Sequence, residues 1–214
     1  EDHGRTWHQL DVAVPEICSN MAQSRFTQIL LDPKDARLGW AGVELGNVWR
    51  TADGGLAWRN VTRGLTSEDI HGLAVINNGS RKVFATTDNG VHISHDDGDS
   101  WQVQKFDSPK PYTRAVVAGA AGDGVLFMTN GDGPPGSWGR LYRSGDLGAH
   151  WQRLPLPGEV ESSMWSIAVN AADPKLMFAS SSLGQIYRST DGGANWTALK
   201  RRLGEIRHVM WLPG

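Results

Sequence analysis

The sequence is poor in cysteine, with Cys18 as the one thiol among 214 residues. One cysteine cannot form a disulfide within the chain, and it cannot supply a cysteine-rich metal site. A disulfide scaffold and a zinc finger are therefore both excluded as fold classes. The cysteine count does not discriminate between cellular compartments, so the sequence predicts no localisation.

The sequence also lacks an excess of positive charge and any long apolar run. It has 21 Lys and Arg against 23 Asp and Glu, a formal net charge of −2, so it has no basic field of the kind that attracts nucleic acid. No segment is apolar over the roughly 20 residues that a membrane-spanning helix needs. Neither nucleic acid nor a membrane is therefore an expected partner. A sustained helical period is absent as well, which argues against a helical fold.

One repeated motif ending in tryptophan is abundant instead. The pattern S/T-x-D-x-G-x-x-W occurs four times, and a shortened copy at the start keeps the D-x-G-x-x-W spacing. Successive motif aspartates are 43 to 51 residues apart, which fits a propeller blade of roughly 40–50 residues. The motif aspartates are Asp2, Asp53, Asp96, Asp146 and Asp191, and the tryptophans of the four complete copies are Trp58, Trp101, Trp151 and Trp196.

Short runs with strand character separate the motifs. In the second unit they read HGLAVIN, KVFATTD, GVHIS and WQVQ, and the other units repeat this order. Such runs are rich in Val, Ile and aromatic residues and are bounded by Gly, Asn and Asp, which is typical of strands. The sequence predicts an all-β propeller of four-stranded antiparallel blades. We expect one domain over residues 1–214, with strands A to D ordered from the centre outwards.

The motif itself predicts a hairpin turn between the third and fourth strands. Its aspartate can accept backbone N–H bonds across the turn, its glycine supplies unusual backbone angles, and its tryptophan buries a large ring. The motif resembles the BNR, or Asp-box, repeat of β-propellers, a family with sialidases, xyloglucan-cleaving glycoside hydrolases, sortilin-type receptors and photosystem assembly factors. That resemblance implies that Asp53, Asp96, Asp146 and Asp191 are structural residues, away from the ligand face.

Both ends of the chain predict parts of a divided fifth blade. TWHQLDV reads as an outer strand, and IRHVMWLPG reads as an inner strand. Four complete blades and a split one suggest part of a larger propeller. Open blade edges also favour self-association, because an unpaired strand edge is a template for another chain.

The blade topology places a candidate site in the central funnel, on the face opposite the motif turns. The D–A connections and B–C turns emerge there, and loops on one face of a rigid scaffold commonly carry binding groups. Aromatic side chains offer flat apolar contact, and arginines can capture carboxylates or phosphates. The predicted ligand-binding residues are Arg25, His71, Tyr112, Arg114, Trp165, Arg207 and His208.

These residues favour a binding or scaffold propeller with a protein, peptide or glycan ligand and no cofactor. A glycoside hydrolase is the alternative, because two carboxylates roughly 5–10 Å apart can flank a sugar. Nothing in the spacing selects a pair from the candidates Asp69, Glu68, Glu205, Asp132, Glu44 and Asp88.

Two narrower activities find less support in the sequence. A sialidase clamps a carboxylate with three arginines, but Arg114 is out of phase with Arg25 and Arg207, so its side chain should leave the other face of its strand. The arginine-isoleucine-proline signature of sialidases is absent too. His71 and His208 lie on separate blades without metal-ligand spacing, so no metal site is predicted.

Overall fold

The fold consists of β-strands alone in the part of the chain that the computed structural model describes, residues 4–10, 12 and 24–213. Sixteen strands form four antiparallel sheets of four, and strands adjacent in sequence are neighbours in each sheet. This part contains no helix, and hence none suited to crossing a membrane. The predicted all-β fold of four-stranded antiparallel sheets is confirmed. Asp2 and Cys18 lie outside the described residues.

The sheets follow one another along the chain. The first contains β1 (Arg25–Leu31), β2 (Gly39–Glu44), β3 (Asn47–Thr51) and β4 (Arg59–Asn60). The second contains β5 (Ile70–Asn78), β6 (Ser80–Thr87), β7 (Gly90–Ser94) and β8 (Gln102–Val103). The third contains β9 (Thr113–Ala118), β10 (Leu126–Gly131), β11 (Gly139–Ser144) and β12 (Gln152–Leu154). The fourth contains β13 (Met164–Ala168), β14 (Met177–Ser181), β15 (Ile186–Ser189) and β16 (Thr197–Ala198).

Each sheet packs face to face on the next. Trp40 of the first sheet shares a buried cluster with Ile70 and Leu73 of the second. Phe84 of the second sheet and Val116 of the third belong to another such cluster. A third cluster joins the third and fourth sheets in the same way. The core is therefore a series of layers between blades, which leaves the inner strand edges to line a central funnel.

Each complete motif forms a turn closed by the same hydrogen bonds. In the second copy the Ser94 hydroxyl donates to Asp96 Oδ1 at 2.8 Å and accepts from the backbone N–H of Gly98 at 2.7 Å. Asp96 Oδ1 also accepts from the backbone N–H of Ser100 at 2.8 Å. The first, third and fourth copies repeat these three bonds. The motif carboxylates are thus engaged within their own turns.

Those hydrogen bonds favour the ionised form of the motif carboxyls. The backbone N–H of His150 is the main cause that lowers the pKa of Asp146 to about 2. The backbone N–H of Asn195 does the same for Asp191, whose pKa is also about 2. These groups therefore remain carboxylates, unable to act as proton donors at neutral pH.

A chain of ion pairs joins the first two sheets beside these turns. The buried side chain of Asp32 accepts from Arg81 Nε at 2.5 Å and from Asn77 Nδ2 at 3.2 Å. Arg81 Nη1 continues to Asp97 at 2.6 Å, and Asp97 lies 3.5 Å from Arg50. Burial raises the pKa of Asp32, but its hydrogen bonds outweigh burial and leave the pKa lowered.

The first sheet exposes one of its faces, whereas the equivalent face of the second sheet is buried. Phe26 and Ile29 are 57% and 64% exposed, whereas Ile70 and Leu73 at the corresponding positions of the second sheet are 0% and 1% exposed. The difference arises because the first sheet covers the second, while no described sheet covers the first. Self-association through this open face stays a prediction.

The divided fifth blade also stays a prediction, because the described residues before β1 and after β16 form no strand. The last described residues nevertheless contact the fourth sheet in the way that the inner strand of one blade contacts the preceding blade. Val209 N donates to Ser166 Oγ at 3.1 Å, just as Leu73 N donates to Gln28 Oε1 at 2.8 Å in the first interface.

His92 gives the fold a dependence on pH. Its buried ring accepts from the backbone N–H of Thr66 at Nε2, 3.2 Å away, and burial lowers its pKa. A base whose folded pKa lies below its unfolded value of about 6.5 stabilises the fold fully above that pH, and the contribution falls as the pH drops below it. We expect the unfolding free energy to fall by up to about 1.4 kcal/mol per pH unit in this range.

Urea unfolding at pH 7.0 and pH 5.5 measures this dependence. His92→Gln should reduce the difference between the two pH values, whatever its effect at either one. His95→Gln is the control, because His95 is exposed and has no carboxylate partner among the described residues. An unchanged pH difference in His92→Gln would contradict the prediction.

Candidate functional site

The inner strands and the turns between second and third strands enclose two adjoining cavities in the funnel. One cavity, of about 440 Å³, lies along the inner strands. The other, of about 600 Å³, lies at the mouth, where the β2–β3, β6–β7 and β10–β11 turns contribute Glu44, Asp88 and Pro134. The structure places all seven predicted ligand-binding residues on one or both cavities: Arg25, His71, Tyr112, Arg114, Trp165, Arg207 and His208. Their binding role stays a prediction.

His71 is buried in the funnel wall, with its side chain 2% exposed. It lies at an irregularity in the pairing of β5 with β6, between Ile70 and Gly72. Its Nδ1 is 2.7 Å from the carbonyl oxygen of Thr113, and its Nε2 is 3.2 Å from Asp69 Oδ2. The ring therefore connects the inner strands of two blades.

Arg114 lies with its guanidinium over the ring of Trp165, 4.4 Å from the centroid. Trp165 belongs to the next blade, so the Arg114 side chain connects the third and fourth blades. Its expected difference in phase does not keep it away from Arg25 and Arg207, because all three line the same cavities. The funnel lies along the strand edges, where long side chains from either face can reach it.

Tyr112 interacts with both His71 and Arg114. Its ring lies 4.9 Å from the ring of His71 at an angle of 50°. Burial raises the pKa of Tyr112 to about 12, against an opposing effect of Arg114. The phenol therefore keeps its proton at neutral pH.

The three funnel arginines differ in their partners. Arg25 pairs with Glu44 at 2.6 Å, and Arg207 pairs with Glu205 at 2.6 Å. Arg114 has no carboxylate within 4.0 Å among residues 4–10, 12 and 24–213. Arg114 is therefore the funnel arginine that pairs with no carboxylate of the described residues.

The candidate carboxylates fall into two groups. Glu44, Asp69 and Asp88 line the mouth cavity. Asp132 instead accepts from the backbone N–H and hydroxyl of Ser137, at 2.8 and 2.6 Å, and closes its own loop. Glu68 and Glu205 line neither funnel cavity. The structure thus brings three of the six sequence-based candidates together at the mouth: Glu44, Asp69 and Asp88.

Two components of the site were not predicted from the sequence. The Thr113 carbonyl, which binds His71, carries no sequence signal because every residue has a carbonyl. Pro134 lines the mouth, and its Gly- and Pro-rich loop, residues 130–139, was its only signal. No three His, Cys, Asp or Glu side chains within the described residues are grouped as metal ligands.

Comparison with known proteins finds similarity in structure only. No protein-family model and no curated protein sequence matches the chain. An ancestral GH74 enzyme matches with a TM-score of 0.67 and 19% identity, over 80% of this chain and 23% of that one. The GH74 xyloglucanase from Xanthomonas campestris matches with a TM-score of 0.61 and 22% identity, over 80% and 29%. YCF48 bound to D1 peptide matches with a TM-score of 0.63 and 20% identity, over 94% and 64%.

The chain has a β-propeller fold. The GH74 enzymes and YCF48 are β-propeller proteins, and four-stranded antiparallel sheets packed face to face are what the described residues form. The chain spans less than a third of the length of the GH74 chains and less than two thirds of the YCF48 chain. TM-scores of 0.61 to 0.67 show that the fold is shared at identities of 19 to 22%.

Proposed function

We propose that the protein is a binding propeller whose funnel takes a protein, peptide or glycan ligand through an acidic group. The observation that carries this proposal is Arg114, a half-buried guanidinium stacked on Trp165 with no carboxylate partner in the described chain. A partly desolvated cation without a counter-charge is costly, and an acidic ligand group would relieve that cost.

The geometry suits a planar anion. Stacking on Trp165 holds the guanidinium in one plane, so little further freedom is lost when a carboxylate binds its N–H groups in a bidentate manner. Tyr112 adds a protonated phenol on the same cavity wall. Arg207 and His208 add positive or hydrogen-bonding groups from the end of the chain.

The similarity to YCF48 bound to D1 peptide supports a peptide as one ligand class. That complex shows that a propeller of this architecture is compatible with peptide binding.

Calorimetric titration with two pools of synthetic decapeptides tests the proposal. One pool ends in free carboxylates, and the other is the same pool amidated at the C-terminus. We expect the free-acid pool to bind more tightly, and Arg114→Met to weaken that binding by about tenfold or more, the effect of losing a charged hydrogen-bonding pair.

Arg140→Met is the matched control. Arg140 also lies over a tryptophan, Trp138, at 5.1 Å, but outside the two funnel cavities. Its replacement should leave peptide binding unchanged. Equal binding of both pools to the wild type, or equal losses in the two variants, would refute an anion site at Arg114.

A glycoside hydrolase is the second candidate. Glu44, Asp69 and Asp88 line one cavity, and two carboxylates across a sugar are the requirement for glycoside hydrolysis. The fold shared with GH74 enzymes is compatible with it. Release of reducing ends from xyloglucan, lost in Asp69→Asn or Glu44→Gln, would favour this candidate; no release by the wild type would count against it.

A further inference from the structure

His71 has a partner at each ring nitrogen. A carbonyl oxygen only accepts hydrogen bonds, so Nδ1, at 2.7 Å from the Thr113 oxygen, donates to it. Nε2 lies 3.2 Å from Oδ2 of Asp69. This contact fixes the orientation of the Asp69 carboxyl group and occupies Oδ2.

The other oxygen of Asp69 is left without a partner. Oδ1 is buried and makes no hydrogen bond to any described residue. Asp69 itself lines the mouth cavity, which it shares with Tyr112 and Arg114. Buried carboxylate oxygens are almost always hydrogen-bonded, because leaving one unpaired forfeits its solvation. An orphaned, oriented acceptor beside a cavity is what a ligand donor would complete.

We infer that the Asp69 carboxylate, partly exposed to the mouth cavity, is a second recognition point of the funnel, which binds a cationic or N–H donor group of the ligand. His71 is the residue that positions it. The inference rests on the proposed function, because it assumes that the funnel binds a ligand through Arg114.

Together the two points select a ligand of mixed charge. Asp69 precedes the inner strand of the second blade, and Arg114 lies on that of the third. Each therefore faces the same cavity from a neighbouring blade, one as an acceptor and one as a donor. The ligand class that satisfies both is a peptide with a basic side chain close to a free carboxylate.

Synthetic heptapeptides of alanine provide the test. Each ends in a free carboxylate and carries one lysine, placed at successive positions before the C-terminus. In the matched peptides norleucine replaces lysine, which removes the charge and keeps the side-chain length. We expect one lysine position to bind the wild type at least about tenfold more tightly than its norleucine match, the effect of one charged hydrogen bond.

Asp69→Asn should reduce that lysine preference to less than about twofold. Asparagine still offers His71 an acceptor, so the variant keeps the wall of the cavity, and its thermal unfolding should stay close to that of the wild type. Asp107→Asn is the control, because Asp107 is an exposed carboxylate that lines neither funnel cavity. It should keep most of the lysine preference.

The outcomes separate this inference from the proposed function. A wild-type protein that binds the free-acid peptides with no lysine preference overturns the Asp69 site and leaves the Arg114 site standing. The same conclusion follows if Asp69→Asn retains the full preference. Failure of every peptide to bind the wild type overturns both.

Discussion

Arg81→Met is expected to lower the free energy of unfolding by about 3–5 kcal/mol. The substitution removes the guanidinium that lies 2.5 Å from Asp32 and leaves a fully buried carboxylate without its cation. Removing one partner of a buried ion pair costs this much stability because the remaining charge stays desolvated. The same change cuts the link from Asp32 to Asp97 that joins the first two blades. Urea unfolding at pH 7 measures the loss.

Arg37→Met is the control for that effect. Arg37 pairs with Asp35 at 3.0 Å, but its side chain is 77% exposed, so solvent screens the pair and its loss should have little effect on stability. The double variant Arg81→Met with Asp32→Asn should recover part of the stability, because it removes the unpaired charge as well. Similar losses for Arg81→Met and Arg37→Met would show that the pair contributes no more than a surface contact.

Gly64→Ala is expected to lower the free energy of unfolding by about 2–5 kcal/mol. Gly64 has a φ of +89°, where an L-residue is strained by roughly 1–2 kcal/mol. A Cβ placed there would lie 2.1 Å from the carbonyl oxygen of Trp101. Because the contact is with a backbone atom, it can be relieved only if the connection between the first and second blades moves away from the second blade. We expect that shift to cost roughly 1–3 kcal/mol, as at other overpacked sites.

Gly54→Ala separates the two causes. Gly54 has a similar φ of +78°, but a Cβ there meets nothing within 4 Å. Its cost should therefore be the backbone strain alone, roughly 1–2 kcal/mol. A cost for Gly64→Ala no larger than that for Gly54→Ala would mean that the close approach to Trp101 is easily relieved.

The fold follows from the sequence to an unusual degree, because the repeat is local. Strand character, the turn residues and the spacing of motif aspartates all act over a few residues, and four copies report the same arrangement. The funnel residues followed from the same topology: once the motif turns are placed on one face, the inner strand starts must lie on the other. Arg25, His71, Arg114 and Trp165 accordingly line one cavity.

The partners of those residues could not be predicted, because they depend on side-chain reach across blades. Arg81 contacts Asp32 from 49 residues away, and no pattern links the two. Asp132 carries the charge of a catalytic candidate, but the backbone of its own loop binds it. Strand phase alone does not indicate that Arg114 lines the same cavities as Arg25 and Arg207, because phase does not describe where a long side chain ends.

The separation of the two rims of the disk bears on how such proteins diverge. The carboxylates of the motif turns are satisfied within their own hairpins, so selection can hold one rim constant while the other drifts. Structures only 19 to 22% identical to this chain share its fold. A change of specificity then needs a few replacements at the funnel mouth and no redesign of the scaffold, which makes the architecture well suited to acquiring new ligands by point mutation.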